Sequence, residues 1–148
     1  MSISNVFDIA GMGMSAQTVR LNTIASNIAN AETVAGSAAD AYRARHPVFV
    51  ARSSGDHNPF SAASNSNAID SSSFGVMVSQ IMQSEAEAQK RYQPGHPLAD
   101  EQGYIYTSNV NPVEEMADMI AASRSFQLNV EMANTAKSMM QRLLTLGQ

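Results

Sequence analysis

Both ends of the chain carry the same spacing of apolar and polar positions, and the middle does not. At the front the stripe reads Ile3, Phe7, Ala10, Met14, Gln17, Leu21, Ile24, Ile28 and Ala31. At the back it reads Met116, Met119, Ser123, Phe126, Val130, Ala133, Lys137, Met140 and Leu144. Alternating steps of three and four average 3.5 residues, the seam of helices that pack lengthwise on other helices. The pattern predicts a mainly α fold with a small β-rich middle, its two long terminal helices forming a coiled-coil-like pair. Residues 1–33 are the N-terminal helix, 34–110 a short-strand and loop central domain, and 111–148 the C-terminal helix. Two such stripes suit a chain that bundles with copies of itself or with close relatives.

The middle breaks both periods. Gly36, Pro47, Gly55 and Pro59 punctuate it, and a Ser/Asn/Ala-rich tract at 53–73 has little to bury and is expected to be flexible. Pro47-Val48-Phe49-Val50 reads as a short strand with proline at its start. Phe74–Ile81 and Tyr104-Ile105-Tyr106 read as strands, and Tyr92-Gln93-Pro94-Gly95-His96-Pro97 as a turn. Glu85–Lys90 fits helix by composition and strand by length.

Local signals fix the start of the last helix. Asn111 is a good N-cap, Pro112 suits the first helical position, and Glu114 stands three residues after Asn111, as in a capping box. Glu114, Glu115 and Asp118 place negative charge at the positive end of the helix dipole, Lys137 and Arg142 complement the other end, and Gly147 ends the helix. The first helix is different. Asp8, Arg20 and Glu32 are its only charges, and its back face carries Ser, Asn, Gln, Thr, Gly and Ala. A solvent-facing helix surface normally shows Lys and Glu there, so this face predicts a second buried contact. Gly11 and Gly13 each weaken the helix by about 1 kcal/mol relative to Ala, which makes it dependent on neighbours.

Composition narrows the partners. Net charge is −4 with no basic run, which disfavours nucleic acid and anionic membrane surfaces. Cysteine is absent, so disulfides and thiolate metal sites are excluded. No apolar run approaches the ~20 residues of a membrane span. The start Met1-Ser2-Ile3-Ser4-Asn5 has no basic region, the first cation being Arg20, so no cleaved leader is expected. His46, His57 and His96 lie in turn-rich sequence without metal-ligand spacing. Neighbouring residues on a helix point about 100° apart, so Glu114-Glu115 does not converge on a substrate, and Asp100-Glu101 reads as turn polarity. Gly11-Met12-Gly13 lies inside a helical pattern and is no phosphate loop. Neither catalysis, nor a metal, nor a cofactor is expected.

Methionine and asparagine remain to be explained. Met14, Met116, Met119 and Met140 lie on the stripes. They read as core filling, or as packing that adapts to inequivalent neighbours. Asparagine is a mediocre helix former, yet Asn22, Asn27, Asn30, Asn129 and Asn134 stand in the two helices. One asparagine at a helix seam can fix register at some loss of stability; Asn27 and Asn134 are the candidates, with solvent-facing polarity as the competing reading.

Three segments carry a resemblance. Ser26-Asn27-Ile28-Ala29-Asn30-Ala31-Glu32-Thr33 is similar to the S-N-[LI]-A-N-x-x-T signature of bacterial flagellar rod and hook proteins. Asn109-Val110-Asn111-Pro112-Val113-Glu114-Glu115-Met116 resembles the start of their C-terminal helix, and Arg124–Asn129 with Asn134-Thr135-Ala136-Lys137 its continuation. Tyr42–Phe49 and Gly95–Tyr104 resemble the proximal-rod branch of that family. The resemblance implies a structural axial subunit of the basal-body rod, not an enzyme. It implies polymerisation through the terminal helices into a helical tube that transmits torque across the periplasm. It also implies export through the flagellar type III apparatus without a cleaved signal, contact with copies of itself and other rod proteins, and no direct membrane insertion. Another rod or hook subunit, or a type III export adaptor, is the alternative. Packing between subunits is assigned to Ile3, Phe7, Met14, Leu21, Ile24, Asn27, Ile28, Asn30, Met116, Met119, Phe126, Val130, Asn134, Met140 and Leu144.

Overall fold

The structure is a computed structural model and describes residues 3–53 and 73–146. Two long helices flank five strands. They are α1 (Ile3–Ala29), β1 (Val34–Ala35), β2 (Arg45–Ser53), β3 (Ser73–Gln83), β4 (Gln89–Tyr92), β5 (Tyr104–Thr107) and α2 (Pro112–Leu146). The mainly α architecture with a small β-rich middle is therefore observed. Most of the flexible tract expected at 53–73, and the helix stop at Gly147, lie outside the described residues.

Helix α1 ends earlier than the stripe suggested, at Ala29 instead of residue 33, and the sequence supplies its stop. Asn30 N–H is shared between Ser26 C=O and Asn27 C=O at 3.2 Å each. Its side-chain Nδ2 donates to Ser26 C=O at 2.8 Å, and Thr33 Oγ1 donates to Asn30 C=O at 2.7 Å. Two polar side chains thus add a second hydrogen bond to carbonyls that already accept a backbone N–H at the helix end. Helix α2 begins as its sequence predicts. Asn111 C=O accepts the Glu115 N–H at 3.1 Å, and Asn111 Oδ1 accepts the Val113 N–H at 3.2 Å.

The chain divides into two compact units. One comprises Met1–Val19, Val48–Gln80 and Ala122–Gln148; the other comprises Arg20–Pro47 and Ile81–Ala121. The first contains most of β2 and β3, which pair in a two-stranded sheet. The expected strand at Pro47–Val50 is the middle of the nine-residue β2. Within this unit Met12 of α1 meets the strands, its Sδ lying 3.8 Å from Arg52 Nη1. A Cβ on Gly75 would come within 2.5 Å of the Met12 methyl group, and Gly75 adopts a φ of 150° that disfavours side chains.

The second unit holds a three-stranded antiparallel sheet in the order β1-β5-β4, with Val34 opposite Thr107 and Lys90 opposite Tyr106. Ile105, on central strand β5, is its most buried large apolar side chain. The ambiguous Glu85–Lys90 stretch resolves into a bend followed by β4. Asp100 builds the turn into β5 by accepting the Gln102 and Tyr104 N–H groups on Oδ1 at 2.9 and 2.8 Å. Gly103 supplies the left-handed residue, at φ 82°, that lets Tyr92 meet Tyr104 edge-on at 5.3 Å.

Candidate subunit-packing site

The second unit contains a buried polar node. Asn27 is 0% exposed, and both hydrogens and both lone pairs of its amide are used. Nδ2 donates to Arg45 C=O and to Glu115 Oε1, each at 2.9 Å. Oδ1 accepts from Arg45 N–H at 2.9 Å and from Tyr42 Oη at 3.0 Å. An asparagine amide has the donor and acceptor of a peptide group, so Asn27 pairs with the Arg45 backbone as a neighbouring strand would. Aspartate would lose the donor and set two carboxylates face to face. Asn109 holds the adjacent residue, accepting Ala44 N–H on Oδ1 at 2.8 Å and donating Nδ2 to Ala86 C=O at 2.9 Å. Ser84 N–H completes the grip on Ala44 C=O at 2.7 Å.

Glu115 is 6% exposed, whereas its neighbour Glu114 is exposed. The pair that reads as helix-start charge is thus split between two roles. Burial pushes the Glu115 carboxyl above the ordinary value of 4.5. The Asn27 hydrogen bond and the nearby His46 pull it down, and the charges of Asp118 and Glu114 add to the upward push. One turn along, Arg20 pairs with Asp118 at 3.0 Å; both side chains are partly exposed, so this contact is worth at most about 1 kcal/mol.

In the first unit the helices bury small residues and display large ones. Ala10, Gly13, Ala16, Ala122, Ala133 and Ala136 are buried. A methyl group on Gly13 would stand 2.8 Å from Asn129 Nδ2, so the asparagine side chain occupies the place a side chain at 13 would take. On α2, Leu128 (64% exposed), Met132, Met139 and Leu143 face outward at helical spacing. Val6, Leu128, Glu131, Met132, Thr135, Ala136 and Met139 line an open groove of about 420 Å³. In the other unit Val113, Met116 and Ile120 are exposed at three- and four-residue steps. Single exposed leucines are ordinary on protein surfaces; rows of them at helical spacing mark an interaction face.

The positions singled out in the sequence divide accordingly. Ile3 opens α1. Ile24 and Asn27 are buried; Met14, Leu21, Ile28, Asn30, Met119, Phe126 and Val130 are half-buried; Phe7, Met116, Asn134, Met140 and Leu144 are exposed. The node brings Asn27 together with Tyr42, Arg45 and Glu115, to which the stripes assigned no role, and Asn129 is the α2 asparagine that meets α1. In the sequence Glu115 reads only as helix-start charge, and Asn109 stands only within a resemblance segment, so neither signals the node. Among the described residues no cluster of His, Asp and Glu could hold a metal ion, and no helix is long and apolar enough to cross a membrane.

Comparison with known proteins gives a consistent picture. Residues 7–39 match the family described as flagella basal body rod protein, and residues 101–146 match the C-terminal family of the flagellar basal body rod FlgEFG proteins. The chain is 44% identical over 148 residues to the flagellar basal-body rod protein FlgC of Salmonella typhimurium, covering all of both chains. It is 46% identical over 149 residues to FlgC of Yersinia enterocolitica, again over all of both. Against FlgC of Borreliella burgdorferi it is 33% identical over 154 residues, covering 100% of this chain and 99% of the relative.

Proposed function

This chain belongs to the FlgC family of flagellar basal-body rod proteins, and from that premise we infer how it builds a rod. It is a structural subunit of the basal body, in a family of rod proteins that is not an enzyme family, and it assembles with other rod components. In our reading α1 and α2 pair as a coiled coil and stack on the helices of neighbouring subunits, copies of this chain among them. The product is a helical tube that carries torque across the periplasm. The subunit reaches it through the flagellar type III export apparatus, with its N-terminus uncleaved and no part inserted in the membrane.

One observation carries this reading: alanine and glycine fill the helix face turned inward while leucine and methionine line the face turned out. Closely spaced small residues let two helices of one chain approach. The exposed row is left for other subunits, where covering side chains that already stand about half buried contributes roughly 1 kcal/mol each. The uncharged back face of α1 fits the same arrangement, each helix being covered on two sides.

The test separates folding from assembly. Leu128→Asp alters an exposed position, so the chain itself should change in stability by no more than about 0.5 kcal/mol. In a tube the same change sets an unpaired charge inside a packed seam. Cells carrying it should express the protein normally, be non-motile, and yield basal bodies lacking it. Motile cells with the variant in their basal bodies would overturn the reading.

A further inference from the structure

The contacts of each unit, taken separately, give the same register. In the first, Gly13 of α1 meets Asn129 of α2. In the second, Asn27 of α1 meets Glu115 of α2. The two residue numbers add to 142 in both cases. The α1 residues stand fourteen apart and so do the α2 residues, which is two heptads on each helix. Within the first unit Val6 and Ala136, whose numbers also add to 142, line one groove. The Arg20–Asp118 pair departs from that sum by four, one helical turn, a reach suited to a long arginine side chain.

We infer that Gly13–Asn129 and Asn27–Glu115 are register pins that select one antiparallel alignment of α1 on α2, in which residue i stands level with residue 142 − i. This rests on the reading that the two helices pair. The other buried positions of the two helices in the first unit penalise a slip less sharply. Ala10, Ala16, Ala122, Ala133 and Ala136 carry only a methyl group, with no polar atom to leave unmet. The pins are the positions where a slip is penalised most. At one, the Asn129 side chain, with its two polar atoms, needs a neighbour with no side chain. At the other, the Asn27 amide needs the single carboxylate on α2 that is buried. A slip would break the Asn27–Glu115 hydrogen bond, leaving the buried carboxyl without that partner and one Asn27 hydrogen unmet. The pins are therefore positioning residues: they set the alignment in which the apolar rows reach other subunits.

The chain has no cysteine, so introduced pairs report cleanly. Thr18→Cys with Ser123→Cys places thiols within one residue of level; Thr18→Cys with Val130→Cys places them about one heptad, or 10 Å, off. Purified basal bodies carrying each pair are treated with a short bis-maleimide, and products of single-chain mass are quantified. The first pair should link several times more than the second. Equal linking by both would overturn the register while leaving the helix pairing standing; linking by neither would overturn the pairing itself. A second test exchanges the pin. Gly13→Asn alone should abolish motility, and Gly13→Asn with Asn129→Gly should restore it. A merely general need for a small residue at position 13 would not be met by the exchange, so a double variant no better than the single would overturn the proposal.

Discussion

At the residue scale the decisive group is a polar one. Asn27 satisfies two backbone groups of Arg45, the Tyr42 hydroxyl and the Glu115 carboxyl with a single buried amide. Asn27→Ala strands each of these partners. At about 1–3 kcal/mol for each buried group left unmade, partly relieved by rearrangement, the loss should be about 2–4 kcal/mol in urea denaturation of the full chain. A change under about 0.5 kcal/mol would show that the node does not hold this unit together. Glu115 adds a dependence on pH whose sign follows from burial. Its folded-state pKa is raised, so the folded chain binds the proton more tightly than the unfolded one. That contribution is fully present below the unfolded value near 4.5 and is lost as pH rises through the raised folded value. Glu115→Gln, which stays neutral, should therefore gain on the parent chain as pH increases from about 4 to about 7.5 in paired denaturation curves. A stability difference that is flat across that range would remove Glu115 as its source.

At the element scale the sequence was legible where one period ran long. The stripes gave both helices, Asn111 and Pro112 gave the start of α2, and apolar runs gave β2, β3 and β5. What they could not give was which side of each helix is covered within one chain. A stripe is defined by large apolar residues, and here Phe7, Met116, Met140 and Leu144 on it are exposed while Ala10, Ala16, Ala122, Ala133 and Ala136 are buried. Small residues have little weight in a hydrophobic pattern, although they decide how near two helices can come. The polar node was legible only as a motif, because nothing in the spacing of Asn27, Arg45 and Glu115 says that they meet. This ordering of faces yields an outcome that hydrophobicity alone would not. Ala122 is 0% exposed and lies away from the groove, and Ala122→Leu adds apolar surface at a fully covered position. Overpacking costs about 1–3 kcal/mol and forces the helices apart. The variant should be depleted from basal bodies when it competes with the parent chain in the same cell; equal incorporation would show that this face has space to spare.

At the scale of the whole molecule the balance of burial decides when the helices become stable. Seven of the ten buried apolar residues among the described ones are alanine, each burying a single methyl group. The larger side chains, which would contribute more if covered, stand exposed on the chain. Helices of 27 and 35 residues must then be held chiefly by the polar node and by the alanine contacts. Gly11 and Gly13 add to the deficit on α1, and packing normally supplies most helix stability. The free chain should accordingly show less helix in far-ultraviolet circular dichroism than its two long elements contain, and lose it over a broad range of temperature. Assembly would complete the helices, the ordering entropy being offset by the newly buried rows. That coupling would also keep the free chain from polymerising on one weak surface, since covering both faces of a helix takes more than one neighbour. Full helicity in the dilute chain, melting in one sharp cooperative step, would mean that the alanine face and the node suffice, and that assembly joins helices already formed.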